Sequence, residues 1–242
     1  MNKKVILSFF ASLLFLSQAA NAEIKIGQGS LTFNAGVASG YVFRGIEQNK
    51  AQPSPFVGAD FTHPIGEFGL YLGAWAGASD GTDSHNYEYD IYGGITKTIG
   101  IATIDLGYAS YIYPGAPSNS ATTQTGEFYG KLTFAPDKQP YTIGFAYYFD
   151  DTDGQKGTTS GLKIDKNYYE AYVTYDFGIL QGKINYGVFD KEATTTTFTV
   201  SKELLTVNFD LSYINAQKES NESSIAGGKN REYVILQAKK TF

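Results

Sequence analysis

Cysteine is absent from the 242-residue chain, so no disulfide supports it. Small exported domains with thin cores often depend on disulfides, and this chain must draw its stability from something else. Histidine is nearly absent too, with only His63 and His85 present. A hydrolase needs a nucleophile, a base and an orienting group within hydrogen-bond reach. His63 precedes Pro64 in an expected turn, and His85 stands in Asp83-Ser84-His85, too crowded in sequence for a triad. A lipid-active enzyme is therefore the weakest function class. Basic residues are outnumbered, 19 Lys+Arg against 24 Asp+Glu, which argues against nucleic acid as a partner. Long apolar runs are also missing. The run over 5–16 falls well short of the ~20 residues of a spanning helix, so the chain cannot cross a bilayer as helices. With Lys3 and Lys4 before it and Ala20-Asn21-Ala22 after it, that run reads as a cleaved secretory signal over 1–22. The remainder, 23–242, reads as one domain.

What the chain has in quantity is 19 Tyr, 17 Phe and 27 Gly, at a mean hydropathy of −0.22. Aromatic and β-branched residues favour strands, and frequent glycine within them marks bends or close packing. The apolar residues alternate with period two. Leu31, Phe33, Ala35 and Val37 share one face, and Tyr41 and Phe43 continue it. Tyr141, Ile143, Phe145, Tyr147 and Phe149 alternate with Thr142, Gly144, Ala146 and Tyr148. Twelve such segments are expected, over 31–44, 54–63, 68–78, 87–99, 101–113, 125–134, 141–149, 168–177, 180–190, 195–201, 205–213 and 232–242. Most are long enough for a tilted strand to cross a hydrocarbon core, which takes about 9–11 residues.

The connections alternate as well. Long ones at 45–53, 79–86, 114–124, 151–166 and 217–231 interleave with short ones at 64–67, Gly100, 135–140, Gly178 and 202–203. Only 191–193 is brief where a long loop is expected. Outer-membrane barrels combine long outer loops with short periplasmic turns. The expected fold is therefore all-β: a closed antiparallel transmembrane β-barrel of twelve strands with both termini periplasmic. The terminal Phe242 suits the strand-end address that the barrel-assembly machinery reads. Outer-membrane lipid and lipopolysaccharide are the surroundings this fold implies. A girdle of Tyr41, Phe43, Tyr111, Tyr113, Tyr147, Phe149, Tyr168 and Tyr169 is expected at the membrane boundary, and Lys240 falls on the lipid side near the interface.

The opposite register lines the lumen. It places Arg44, Glu88, Asp90, Asp105, Glu127, Lys131, Glu170, Asp176, Lys183, Asp210 and Lys239 inside, with Trp75, Tyr92, Tyr129, Tyr148 and Tyr172. Charges facing lipid at mid-depth cost roughly 2–4 kcal/mol for Arg or Lys, which favours this assignment. The charges either line a narrow pore with mild cation preference or pair across the barrel and plug it. Barrels of about eight strands are filled by side chains and those of sixteen or more are open, so a narrow pore is expected from twelve. The acidic stretch at 150–154 fails as a calcium loop. Aligning Gly154 with the fixed glycine puts Phe149 at the first ligand position and Ser160 where Glu is required. No metal or cofactor site is expected.

Ala38-Ser39-Gly40-Tyr41-Val42-Phe43-Arg44-Gly45-Ile46-Glu47-Gln48, followed by Pro53-Ser54-Pro55, resembles the TorF-type family of porins. Gly58-Ala59-Asp60-Phe61, Gly73-Ala74-Trp75-Ala76-Gly77 and the ending Lys240-Thr241-Phe242 are similar to that family too. The resemblance implies a porin-type outer-membrane barrel and leaves the solute open. Glycine at 45 permits a bend into the first loop, which could carry Arg44, Glu47 and Gln48 to the pore mouth. Arg44 then either recognises a polar solute or anchors the loop to a wall carboxylate. Passive diffusion of small hydrophilic solutes is the function expected.

Overall fold

The computed structural model describes residues 23–79, 87–114, 124–150, 167–190, 193–218 and 230–242. The signal reading of 1–22, the Asp83-Ser84-His85 stretch and residues 151–166 lie outside these. The strands are β1 (Ile24–Ile26), β2 (Gly29–Ala38), β3 (Val42–Phe43), β4 (Ile46–Glu47), β5 (Ser54–Ile65), β6 (Phe68–Ala78), β7 (Tyr87–Ile99), β8 (Ala102–Ile112), β9 (Gln124–Phe134), β10 (Tyr141–Asp150), β11 (Tyr168–Asp176), β12 (Gln181–Phe189), β13 (Ala193–Leu204), β14 (Val207–Lys218) and β15 (Arg231–Thr241). β3 and β4 pair only with each other, and β1 only with the start of β2. The remaining twelve pair antiparallel in sequence order, and β15 returns to β2. The result is a closed twelve-stranded barrel. At its seam Phe242 N–H donates to Phe33 O (2.7 Å) and Phe33 N–H to Phe242 O (3.1 Å). Closure leaves no sheet edge to satisfy elsewhere.

The period-two pattern becomes two chemically different faces. Val57, Leu72, Ile91, Leu106, Phe145, Ile184, Leu211 and Leu236 are exposed on the outside. Tyrosines and charges occupy the inward register. Several inward rings lie flat across a glycine of the adjacent strand: Tyr92 over Gly73, Tyr129 over Gly107 and Tyr172 over Gly144. A Cβ at these glycines would stand 2.2, 2.5 and 2.1 Å from ring carbons. The glycine and tyrosine richness of the sequence is thus one device, which lets bulky rings line the wall without filling the lumen.

Some sequence expectations are corrected. The first strand ends at Ala38, not 44: alternation persists through Tyr41 and Phe43, but these belong to a separate hairpin. The turn expected at 202–203 lies at Leu205-Thr206, both with positive φ (52° and 65°). The polar Lys202-Glu203 pair suggested a turn, whereas the real one lacks the usual glycine or asparagine. Five of the eight expected girdle residues lie inside, Tyr41 and Phe43 among them in the hairpin. Tyr147, Phe149 and Tyr169 are exposed outside, but Tyr111, Tyr113 and Tyr168 bond to lumen carboxylates. Parity decides this, since neighbours on a strand point to opposite faces.

Lys240 keeps its outward register, paired with Ala35, but does not reach water. It is 1% exposed, and its Nζ donates to Thr206 Oγ1 at 2.8 Å. Thr206→Val strands that ammonium and should cost about 1–3 kcal/mol, read from denaturant unfolding. Lys240→Met should be nearly neutral, because it removes the charge along with its need for a partner.

Candidate functional site

The segment between β2 and β5 folds into the barrel. β3 and β4 form a two-residue hairpin whose turn, Arg44-Gly45, has positive φ at both positions (49° and 85°). That is the geometry of a type I′ turn, which suits glycine and strains arginine. Gln48 N–H donates to Tyr41 O (2.8 Å), extending the ladder. The buried Asn49 secures the base: its Oδ1 accepts from Tyr41 N–H at 2.8 Å and its Nδ2 donates to Gln52 O.

The hairpin tip reaches the opposite wall. Both Arg44 guanidinium arms donate to the Glu127 carboxylate, with NH2 to Oε2 at 2.8 Å. The two side chains are 6% and 9% exposed. Tyr111 OH donates to the same carboxylate (3.1 Å). The guanidinium carbon stands 4.3 Å from the Tyr168 ring centroid, 4.5 Å from that of Tyr148 and 4.6 Å from that of Phe43. Gly45 presses on β13 and β14, where an added Cβ would meet Thr195 Cγ2 at 2.6 Å and Ala216 Cβ at 3.0 Å. On the near wall Tyr41 OH donates to Glu88 Oε1 (3.3 Å). The hairpin therefore crosses the lumen from β2 to β9–β14 with a fastening at each side.

The other lumen charges divide by partner. Lys131 lies 3.6 Å from Asp105, which also accepts from Tyr71 OH (2.6 Å). Glu170 accepts from Asn185 (2.7 Å) and Tyr168 (3.0 Å). Asp210 accepts from Asn208 (2.8 Å) and Gln237 (3.2 Å). Glu88 Oε2 and Asp90 Oδ1 are buried without a hydrogen-bond partner among the described residues. Lys183 stands over the Tyr172 ring. Asp176 holds an inward position at the rim, but its Oδ1 accepts from Gly178 N–H (2.7 Å) and shapes a turn. Glu47 sits in the returning arm of the hairpin, opposite Val42.

Sequence reasoning left a lumen carboxylate out of its candidates. Asp60 accepts from Tyr92 OH (2.5 Å) and Asn34 Nδ2 (3.3 Å). Its parity on β5, opposite the outward Val57, was signal enough. It borders a chamber of about 490 Å³ beneath the hairpin, walled also by Tyr41, Phe56, Trp75, Gln237 and Lys239.

No curated protein matches the sequence. Among solved structures the chain is similar to the outer-membrane channel DcaP of Acinetobacter baumannii, at 11% identity and a TM-score of 0.44 over 91% of this chain and 100% of that one. It is similar to OpdQ of Pseudomonas aeruginosa at 14% identity and a TM-score of 0.46, over 90% and 68% of the two chains. Against a mutant of the Rh. blastica porin the identity is 15% and the TM-score 0.38. That match covers 77% of this chain and only 55% of the porin. One family model matches most of the chain, over residues 25–199: the protein belongs to the Gcw_chp family, bacterial proteins of unknown function.

Proposed function

We propose that this protein is an outer-membrane channel for passive diffusion of small hydrophilic solutes, constricted by its own first loop. The carrying observation is the hairpin: a closed barrel with an apolar exterior holds an element across its lumen, fastened to both walls. An apolar outer belt suits lipid, and closure satisfies the backbone groups that lipid cannot. In this reading both termini are periplasmic, lipopolysaccharide surrounds the long loops, and β15 with Phe242 engages the assembly machinery. The reading is non-enzymatic, and the TorF-type resemblance around Arg44 supports it. Swelling of proteoliposomes in graded sugars, amino acids and nucleosides tests it: small solutes should enter with a sharp size limit, and failure of every solute would reject diffusion.

The hairpin also favours a second reading, a plugged barrel whose outer loops bind a surface partner. The two differ in wild-type permeation, which only the channel shows.

The pore should prefer cations. Asp60, Glu170 and Asp210 have no cationic partner within ion-pair distance among the described residues, against Lys183 and Lys239. Rings of unneutralised carboxylates favour cations. The reversal potential in a salt gradient should shift accordingly, and clear anion preference would contradict it.

A further inference from the structure

The chamber beneath the hairpin carries more information than a passage needs. Trp75 and Phe56 sit on adjacent strands, with ring centroids 6.1 Å apart and planes 28° from parallel. Each lies down on the wall over a glycine. A Cβ at Gly77 would stand 2.1 Å from the Trp75 ring, and one at Gly36 2.4 Å from the Phe56 ring. The rings therefore make a side-by-side floor rather than a slot. Tyr41, from the base of the hairpin, leans on Trp75 at 5.7 Å.

Around this floor the groups are mostly neutral donors and acceptors, with one charge of each sign. Asp60 is held by neutral groups alone, Tyr92 and Asn34, which leaves spare lone pairs on its carboxylate for a hydroxyl donor. Lys239 and Gln237 border the chamber from β15. Lys239 has no carboxylate within ion-pair distance among the described residues. At about 490 Å³ the chamber is in the range of small-ligand sites, roughly 300–1,000 Å³.

We propose that this chamber is a binding site for a mono- or disaccharide. A pyranose has a C–H face that packs on one aromatic floor, while its rim hydroxyls both donate and accept. A planar base is usually stacked from both sides as well as hydrogen-bonded at its edge, and this floor is one-sided. The sugar's face rests on Trp75 and Phe56, Asp60 accepts from its hydroxyls, and Lys239 donates from the opposite side. The inference deepens the channel reading by naming a solute class, and rests on it only for how the sugar arrives.

Trp75 is the sole tryptophan of the chain, so intrinsic emission reports on the floor directly. The test titrates the folded full-length barrel in detergent with glucose and maltose, and in parallel with glycine, lysine and uridine. Titration calorimetry on the same samples covers stacking that leaves emission unmoved. Saturable binding of a sugar is expected, weakened at least tenfold by Asp60→Asn and by Lys239→Met, each checked for folding by heat-modifiable gel migration. Saturation by amino acids or uridine with no response to either sugar overturns the proposal. So does silence to every solute in both readouts from a preparation that conducts ions in bilayers, which would leave the channel reading standing. Sugar binding by a preparation that conducts nothing would keep the chamber and remove the channel.

Discussion

Arg44→Ala should raise the single-channel conductance severalfold while leaving thermal unfolding of the barrel nearly unchanged. Arg44 fastens the hairpin tip through a two-armed, nearly buried pair with Glu127 and through contacts with the Tyr148 and Tyr168 rings. Removing one partner of a buried pair typically costs about 3–5 kcal/mol, because the other is left charged and unpaired. The hairpin offers a cheaper response. It springs from the rim, between the end of β2 and the start of β5, so it can swing away from the wall and let solvent reach Glu127. The loss then shows as local opening rather than as barrel instability. At about 1.4 kcal/mol per tenfold, such a loss moves the docked equilibrium by roughly two to three and a half orders of magnitude. Glu127→Ala should give the same conductance, and the double variant little more, since both break one contact. A fall in melting temperature with conductance unmoved would make Arg44 a wall residue rather than a fastening.

Gly45→Val should have an effect of the same size by a different route. Gly45 has φ of 85°, a conformation unfavourable to a β-branched residue. Its Cβ would also meet Thr195 Cγ2 at 2.6 Å and Ala216 Cβ at 3.0 Å. Both neighbours belong to the wall, so the hairpin is the part that must yield. Gly45→Ala should undock the tip partially, and Thr195→Ser in that background should restore some closure by removing the nearer methyl group. Limited proteolysis between Val42 and Glu47 reports undocking independently of conductance. A Gly45→Val protein with wild-type conductance and protection would show that the tip does not press on β13 and β14.

The barrel was legible because strands with one apolar and one polar face write their register into the sequence. The 141–149 segment reads the same in both: its odd positions face out and its even positions face in. Loop lengths carried the connectivity for a similar reason. What alternation could not reveal was where a strand stops being wall. Tyr41 and Phe43 resume the pattern of β2 after Ser39, and the departure after Ala38 depends on partners remote in sequence, Glu127 foremost. The same limit explains Tyr111, Tyr113 and Tyr168, which composition suggested for an interface and parity turns inward. Lys240 shows a further kind of failure. Its face was readable, but its partner Thr206 sits within a turn, Leu205-Thr206, that carries no turn signal. Asp60 was readable and was passed over, although its parity matches that of the lumen charges.

The central claim is that the first loop closes this barrel from within. The most direct test compares planar-bilayer conductance of the wild-type protein with that of a variant in which residues 41–49 are replaced by a short Gly-Ser connection. The barrel strands remain intact, since β3 and β4 pair only with each other. The account predicts a small wild-type conductance and a several-fold larger one in the variant, with cation preference kept by the wall carboxylates. Equal conductances in two folded proteins would contradict it.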